Sequence, residues 1–167
     1  MVTSLGRTGL GVSRIGLGLA ALGRPGYINI GHSSDLAGHT DVESMERITD
    51  GVLDEAYRRG VRYFDVARSY GKGEIFLARW LDRRDLGPSE VTVGSKWGYT
   101  YTADWRVDVA VQEVKDLSLS TLRRQFAESQ SLLGPHLRLY QIHSATLDSG
   151  VLDDLGVLEE LARLRAG

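Results

Sequence analysis

Cysteine is absent from the 167 residues of this chain. Its absence excludes disulfide bonds, thiolate metal sites and a cysteine nucleophile, and we predict no metal site of another kind. No apolar run approaches the roughly 20 residues that span a bilayer, and the first residues lack the apolar core of a signal peptide. The formal net charge of −2 attracts neither nucleic acid nor an anionic membrane. These absences predict a cytoplasmic protein without nucleic-acid or membrane partners.

The composition that remains is that of a globular protein. Hydrophobic residues make up 42% of the chain and charged residues 25%, which are ordinary values for a folded domain. The length predicts a single domain over residues 1–167.

Short apolar runs alternate with longer amphipathic stretches along the chain. Strands are predicted over residues 14–20, 61–66, 91–96 and 137–143, helices over 42–59, 73–84, 118–133 and 151–165, and loops over 23–40 and 97–115. Asp41 is suited to cap the first helix, and Gly134 to end the third. Strands that alternate with helices indicate βαβ units and a parallel sheet, so the predicted fold class is α/β. Four β/α units make either a small open sheet or half of an eight-stranded barrel.

Side chains that can hold or move a proton stand at the ends of these predicted strands. Asp65 closes the second strand, and Tyr70 follows in the next loop. Lys96 closes the third strand, and His143 closes the fourth. In parallel β/α folds the carboxyl ends of the strands carry the active site. The sequence therefore predicts that the four groups meet at one rim.

The four residue types suit the reduction of a carbonyl group. The carbonyl oxygen needs a proton as hydride adds to the carbon, and the hydroxyl group of Tyr70 can supply it. A free phenol is a weak acid, with a pKa of about 10, and the ammonium group of Lys96 would stabilise its ionised form. Asp65 can pair with Lys96 and keep it charged. His143 can donate a hydrogen bond that orients the carbonyl oxygen.

Each of these residues also has an ordinary structural explanation when it is taken alone. Asp65 could cap a loop, and Tyr70 could serve packing or a turn. Lys96 could be a solvated lysine at a strand end, and His143 could be a structural histidine with satisfied hydrogen bonds. The functional hypothesis depends on the placement of all four together.

The segments that carry these residues resemble the aldo-keto reductase family. Residues 64–71, Phe-Asp-Val-Ala-Arg-Ser-Tyr-Gly, with Glu74 three residues later, are similar to the family's segment Asp-x-Ala-x-x-Tyr-Gly-x-x-Glu. The run Gly-Ser-Lys-Trp-Gly at 94–98 resembles the family's lysine strand, and Tyr-Gln-Ile-His-Ser at 140–144 resembles its histidine strand. Residues 5–18 resemble its N-terminal hairpin and first barrel strand.

The resemblance implies a TIM-type (β/α)8 barrel, of which this chain contains the first four β/α units after an N-terminal β-hairpin. It implies an oxidoreductase that reduces an aldehyde or ketone to an alcohol, with a small-molecule carbonyl compound as substrate. In such an enzyme Tyr70 is the general acid and Lys96 makes it a stronger acid. Asp65 is the partner of Lys96, and His143 orients the substrate.

The resemblance also implies a nicotinamide cofactor, NADPH or less often NADH. Gly18, Leu19 and Asp65 match family positions that lie near the nicotinamide end of the cofactor. Most of the groups that hold its amide, pyrophosphate and adenosine phosphate come from strands five to eight of the family's barrel. Those strands have no counterpart in this sequence, so the choice between NADPH and NADH stays open, as does the identity of the substrate.

A half-barrel exposes its first and fourth strands as edges with unpaired backbone groups. Such edges favour a homodimer, or a complementary half-barrel as a partner. Two alternatives to an active enzyme therefore stay open. The chain could be a catalytically inactive half-barrel that binds or regulates a partner, or it could be a truncated fragment.

Overall fold

Residues 2–26, 36 and 38–166 are described by a computed structural model of the chain. Within these ranges the strands are β1 (Val2–Ser4), β2 (Gly11–Ser13), β3 (Leu17–Gly18), β4 (Tyr63–Asp65), β5 (Thr92–Trp97), β6 (Tyr99–Tyr101), β7 (Glu113–Lys115) and β8 (Leu137–Ile142). The helices in the same ranges are α1 (Val42–Arg58), α2 (Gly73–Arg83), α3 (Leu119–Leu133) and α4 (Leu155–Ala166).

A four-stranded parallel sheet organises the fold, in the order β3, β4, β5, β8. Leu17 pairs with Phe64, Phe64 with Val93, and Val93 with Leu137. Each of these strands is followed along the chain by one of the helices α1 to α4. The predicted α/β class with four β/α units is therefore confirmed, and the antiparallel pair β1–β2 confirms the N-terminal hairpin. Within the described residues, β3 and β8 are the two edges of this sheet.

The first barrel strand is much shorter than predicted. The sequence predicts a strand over 14–20, but only Leu17–Gly18 pairs as a strand. The carbonyl oxygen of Leu19 accepts the N–H groups of Leu22 and Gly23, at 3.1 and 3.0 Å, so the chain turns away from the sheet there. Of the segment 23–40, which the sequence predicts as a loop, residues 27–35 and 37 lie outside the described residues.

The segment 97–115 is not the uninterrupted loop that the sequence predicts. It contains the antiparallel hairpin β6–β7, in which Tyr99 pairs with Lys115 and Tyr101 with Glu113. Aromatic and β-branched residues favour extended backbone, and the run Tyr-Thr-Tyr contains three of them in succession. The hairpin follows β5 directly, so it lies at the end of the sheet where the predicted site residues stand.

Capping residues mark several of the helix ends. The side chain of Asp41 accepts the N–H of Ser44 at 2.9 Å, which confirms Asp41 as the cap of α1. Gly134 ends α3 with a φ of 50°, as predicted. The last helix starts at Leu155, not at 151, and the carboxylate of Asp154 accepts the N–H of Val157 at 3.1 Å. None of the described helices combines the length and the apolar character that a membrane crossing requires.

The main hydrophobic core joins the parallel sheet to the helices α1, α2 and α3. Phe64 of β4 and Trp80 of α2 are buried at its centre, with their ring centroids 5.3 Å apart. Trp80 also donates its indole N–H to Asp54 of α1 at 2.9 Å. Burial of each such side chain stabilises the folded state by about 1.5–3 kcal/mol, and this favours the observed packing of the strands on the helices. The predicted single-domain extent and cytoplasmic location remain predictions.

A buried amide fixes the start of the β6–β7 hairpin. Gln125 of α3 is 1% exposed; its amide oxygen accepts the N–H of Gly98 at 2.8 Å, and its amide nitrogen donates to the carbonyl of Tyr99 at 3.0 Å. Gly98 has a φ of 113°, which a side chain would strain. The hairpin therefore leaves the sheet at a set position, and Tyr99 is placed at the rim.

Candidate active site

The four predicted catalytic residues lie at the carboxyl ends of neighbouring parallel strands. Asp65 is the last residue of β4, and Lys96 is next to last in β5. His143 follows β8 directly, and its backbone N–H donates to the carbonyl of Trp97 at 2.9 Å. Tyr70 lies in the turn between β4 and α2. The structure thus brings all four to one rim of the sheet.

Lys96 is the centre of this group. Its ammonium nitrogen contacts the Asp65 carboxylate and lies 3.0 Å from the carbonyl oxygen of Val66. It also lies 3.3 Å from the hydroxyl oxygen of Tyr70. The Lys96 side chain is 15% exposed, so this cation is held by a carboxylate and largely shielded from water. A cation in this position stabilises negative charge on the neighbouring phenol oxygen.

Tyr63 supports Asp65 from within the same strand, and it is not among the site residues predicted from the sequence. Its hydroxyl donates to Asp65 at 3.2 Å. A Cβ atom on Gly94 would lie 2.6 Å from this hydroxyl, so glycine leaves the room that the phenol occupies. Burial, followed by the charge of Asp65, raises the pKa of Tyr63 to about 12, so the group stays a donor at neutral pH. Alternation along a strand puts residues 63 and 65 on one face, and this was the signal available in the sequence.

His143 stands between two tyrosine rings. The Tyr70 ring packs edge-on against it with centroids 5.6 Å apart, and the Tyr99 ring lies at 5.0 Å. Its Nδ1 atom is 3.5 Å from the hydroxyl oxygen of Ser69. Burial, together with the positive charge of Lys96, lowers the pKa of His143 below its usual value of 6.5. A neutral imidazole at pH 7 carries one N–H, which can donate to a ligand or to a neighbour.

The titration of His143 can be measured directly. We expect its ring signal, assigned by His143→Asn, to titrate below pH 6.5 in a proton NMR experiment on the folded chain. The unfolded chain then binds this proton at a higher pH than the folded chain does. The free energy of unfolding therefore falls as the pH drops from 6.5 through the folded pKa. Lys96→Met removes the neighbouring positive charge and should raise the midpoint of the His143 titration. A midpoint at or above pH 6.5 in the parent chain contradicts a lowered pKa of His143.

The residues predicted near a nicotinamide lie beside this group, with one exception. Gly18 pairs with Asp65 across the sheet, and a Cβ atom built on it would meet no other atom within 4 Å. The rim is therefore open at Gly18. Leu19 is completely buried and packs in the main core, and its N–H donates to the carbonyl of Asp65 at 2.9 Å. The Leu19 side chain consequently supports the strand and does not face the rim.

Comparison with known proteins agrees with this architecture. The model of the aldo/keto reductase family matches residues 14–164. The chain is 28% identical over 148 residues to the uncharacterized oxidoreductase YrpG of Bacillus subtilis (strain 168), a match that covers 84% of this chain and 39% of that protein. It is 29% identical over 161 residues to pyridoxal 4-dehydrogenase of Microbacterium luteolum, covering 84% of this chain and 42% of that enzyme.

Solved structures show the same fold. PA4992 from Pseudomonas aeruginosa superposes with a TM-score of 0.70 at 26% identity, over 99% of this chain and 56% of that one. The holo form of aldo-keto reductase AKR11C1 from Bacillus halodurans superposes with a TM-score of 0.62 at 22% identity, over 97% of this chain and 46% of that one. The chain thus spans about two fifths of these curated relatives and about half of these solved chains. Because the family model matches nearly the whole of it, the chain belongs to the aldo/keto reductase family.

Proposed function

We propose that this chain supplies the catalytic residues of an NAD(P)H-dependent oxidoreductase that reduces an aldehyde or ketone to an alcohol. The family match and the relatives named as oxidoreductases support the reaction class. The proposed roles of the four residues rest on the position of Lys96. Its ammonium group contacts Asp65 and lies 3.3 Å from the Tyr70 hydroxyl. A cation held in this way stabilises the phenolate that remains when Tyr70 gives up its proton.

The chemistry of the four residues follows from their positions. The substrate carbonyl is expected beside Tyr70 and His143, whose rings are 5.6 Å apart. Tyr70 donates its proton to the carbonyl oxygen as negative charge develops there. His143 donates an N–H hydrogen bond to the same oxygen and orients it. Because both donors are held in place before the reaction, the charge on the oxygen is stabilised without rearrangement of the site.

The open surface at Gly18 fits a nicotinamide ring next to Asp65. When bound there, NADPH or NADH supplies the hydride for the carbonyl carbon. Among the described residues, Gly18 and Asp65 would contact it. Leu19 would act only through the backbone that it positions, because its side chain is buried in the core.

Titration of the purified chain with NADPH, followed by the fluorescence of its three tryptophans, tests the proposal. We expect saturable binding, and oxidation of NADPH that depends on an added aldehyde. Pyridoxal belongs among the aldehydes because a relative is a pyridoxal 4-dehydrogenase. Gly18→Val should weaken binding by filling the open space, whereas Gly51→Val, at an equally uncrowded and exposed position of α1, should not. The proposal fails for the isolated chain if millimolar NADPH and NADH both leave the fluorescence without a saturable change.

The open edge of β8 supports a second candidate, a role that depends on a partner. β8 pairs with β5, and no described strand pairs with its other side. Next to it lies an open groove of about 1300 Å³, whose lining includes Phe126, Leu139 and Leu161. The chain spans only about two fifths of the curated relatives that it matches. We therefore propose that a complementary half-barrel occupies this edge.

Light scattering can distinguish a complementary half-barrel from a second copy of the chain at the edge of β8. A monomer that forms a one-to-one complex with a polypeptide containing the remaining β/α units of PA4992 supports the proposal. A stable homodimer of the chain alone, or no complex, contradicts it. Leu139→Lys should weaken the complex because it places a charge in the groove, and Leu132→Lys, at an exposed position of α3, is the matched control.

A further inference from the structure

Arg24 lies at the rim of the site and is almost completely buried, with 5% of its surface exposed. It follows β3, in the run Gly-Arg-Pro-Gly at the start of the segment 23–40 that the sequence predicts as a loop. Removal of a guanidinium group from water costs free energy unless hydrogen bonds and an opposite charge compensate for it. The hydrogen-bond partners that compensate for the burial of Arg24 therefore indicate its role.

One nitrogen of Arg24 connects two other segments of the chain. Its Nη1 donates to the backbone carbonyl of Ser69 at 3.2 Å and to the carboxylate of Glu113 at 2.9 Å. Ser69 immediately precedes Tyr70, and Glu113 is the first residue of β7. The guanidinium carbon also lies 5.8 Å from the centre of the Tyr70 ring, which is within cation–π range.

Two glycines let the backbone around Arg24 approach the turn that carries Tyr70. A Cβ atom on Gly23 would overlap the carbonyl oxygen of Tyr70, and one on Gly71 would overlap the carbonyl oxygen of Gly23. The N–H of Lys72 donates to Gly23 at 2.7 Å. The loop after β3 is therefore packed directly against the Tyr70 turn, and the side chain of Arg24 leaves from this contact.

We propose that Arg24 is a positioning residue that couples the β6–β7 hairpin, through Glu113, to the orientation of Tyr70. Lys96 holds the hydroxyl end of Tyr70, whereas Arg24 holds its ring and the backbone before it. The inference rests on the proposed function, in which Tyr70 is the general acid. It adds that the general acid is kept in place by an ion pair between the buried Arg24 and the partly exposed Glu113 of the hairpin.

The position of Tyr70 can be observed without any turnover. The chain is prepared with 3-fluorotyrosine, and the fluorine NMR signal of Tyr70 is assigned by its loss in Tyr70→Phe. We expect Arg24→Met and Glu113→Ala each to displace or broaden this signal. Arg79→Met is the matched control, because Arg79 is an exposed arginine of α2 that pairs with Glu46 of α1, and it should leave the signal unchanged.

The same variants separate positioning from binding in a kinetic assay. We expect kcat to fall about 10- to 100-fold in Arg24→Met and Glu113→Ala, with little change in KM, because a small displacement of a catalytic group acts mainly on the transition state. If Arg24→Met does not fold, Glu113→Ala alone tests whether the ion pair positions Tyr70. An unchanged Tyr70 signal in Glu113→Ala overturns the inference. If the parent chain has no turnover at all, the proposed function fails, and the fluorine signal still tests the positioning.

Discussion

Replacing Tyr70 with phenylalanine is expected to lower kcat of an active preparation by about 10²–10⁴-fold, the contribution typical of general acid catalysis. The substitution removes the hydroxyl that lies 3.3 Å from Lys96 and keeps the ring that packs against His143. KM for the aldehyde and the affinity for NADPH should stay near the parent values, because the proton moves only in the transition state. Steady-state kinetics with a simple aldehyde, together with the fluorescence titration, provide both measurements.

A second tyrosine offers a matched control for this experiment. Tyr57 lies in α1, and its hydroxyl donates to Glu90 at 3.4 Å, so Tyr57→Phe also removes a hydrogen-bonded phenol oxygen. Its turnover should match that of the parent. Full turnover by Tyr70→Phe excludes Tyr70 as the general acid. A raised KM with unchanged kcat would instead assign Tyr70 to substrate binding.

The positions of the proposed catalytic residues could be predicted because each depends on a short local pattern. Asp65, Lys96 and His143 each come at the end of an apolar run, and such runs form the parallel strands β4, β5 and β8. Parallel strands deliver their carboxyl ends to one edge, so the joint placement follows from the alternation of strands and helices. The contact of Lys96 with Asp65 is then a consequence of the register between β4 and β5, whereas Tyr70 reaches Lys96 from the turn after β4.

Contacts between distant segments could not be predicted in the same way. Arg24 and Glu113 are 89 residues apart, and no local pattern relates a turn arginine to a strand glutamate. The hairpin that carries Glu113 is itself short and lies in a polar segment, so it did not stand out as strand. Tyr63 could have been found from its spacing to Asp65, since alternation along a strand is local information.

A buried carboxylate near the site is a second example of contacts between distant segments that the sequence did not predict. Glu74, in the first turn of α2, is 2% exposed, and the sequence shows it only as part of a motif without a role. Its Oε1 accepts the hydroxyl groups of Ser95 and Ser129 at 2.6 and 2.7 Å, and its Oε2 pairs with Arg68. Ser95 belongs to β5 and Ser129 to α3. Arg68 stands two residues before Tyr70, so one carboxylate joins α2, β5 and α3 to the turn that carries Tyr70.

Glu74→Gln is therefore expected to destabilise the fold substantially, by about 3 kcal/mol of unfolding free energy. The substitution keeps the shape of the side chain but removes the charge that compensates the partly buried Arg68, and breaking a buried pair from one side typically costs 3–5 kcal/mol. The lower end of this range applies because Arg68 keeps its second partner, Glu128, at 2.9 Å. Urea unfolding followed by circular dichroism measures the loss as a lower midpoint at an unchanged slope.

An exposed glutamate serves as the control for the loss of stability expected in Glu74→Gln. Glu55 of α1 also accepts hydrogen bonds from arginines, Arg58 and Arg59, but all three side chains are exposed to water. Glu55→Gln should shift the midpoint little, because solvent screens such pairs. If Glu74→Gln is no more destabilised than Glu55→Gln, the buried network does not hold the elements together. If it is much more destabilised, the buried Glu74 network holds α2, β5 and α3 together. A displaced fluorine signal of Tyr70 in Glu74→Gln would show separately that the network also orients Tyr70 through Arg68.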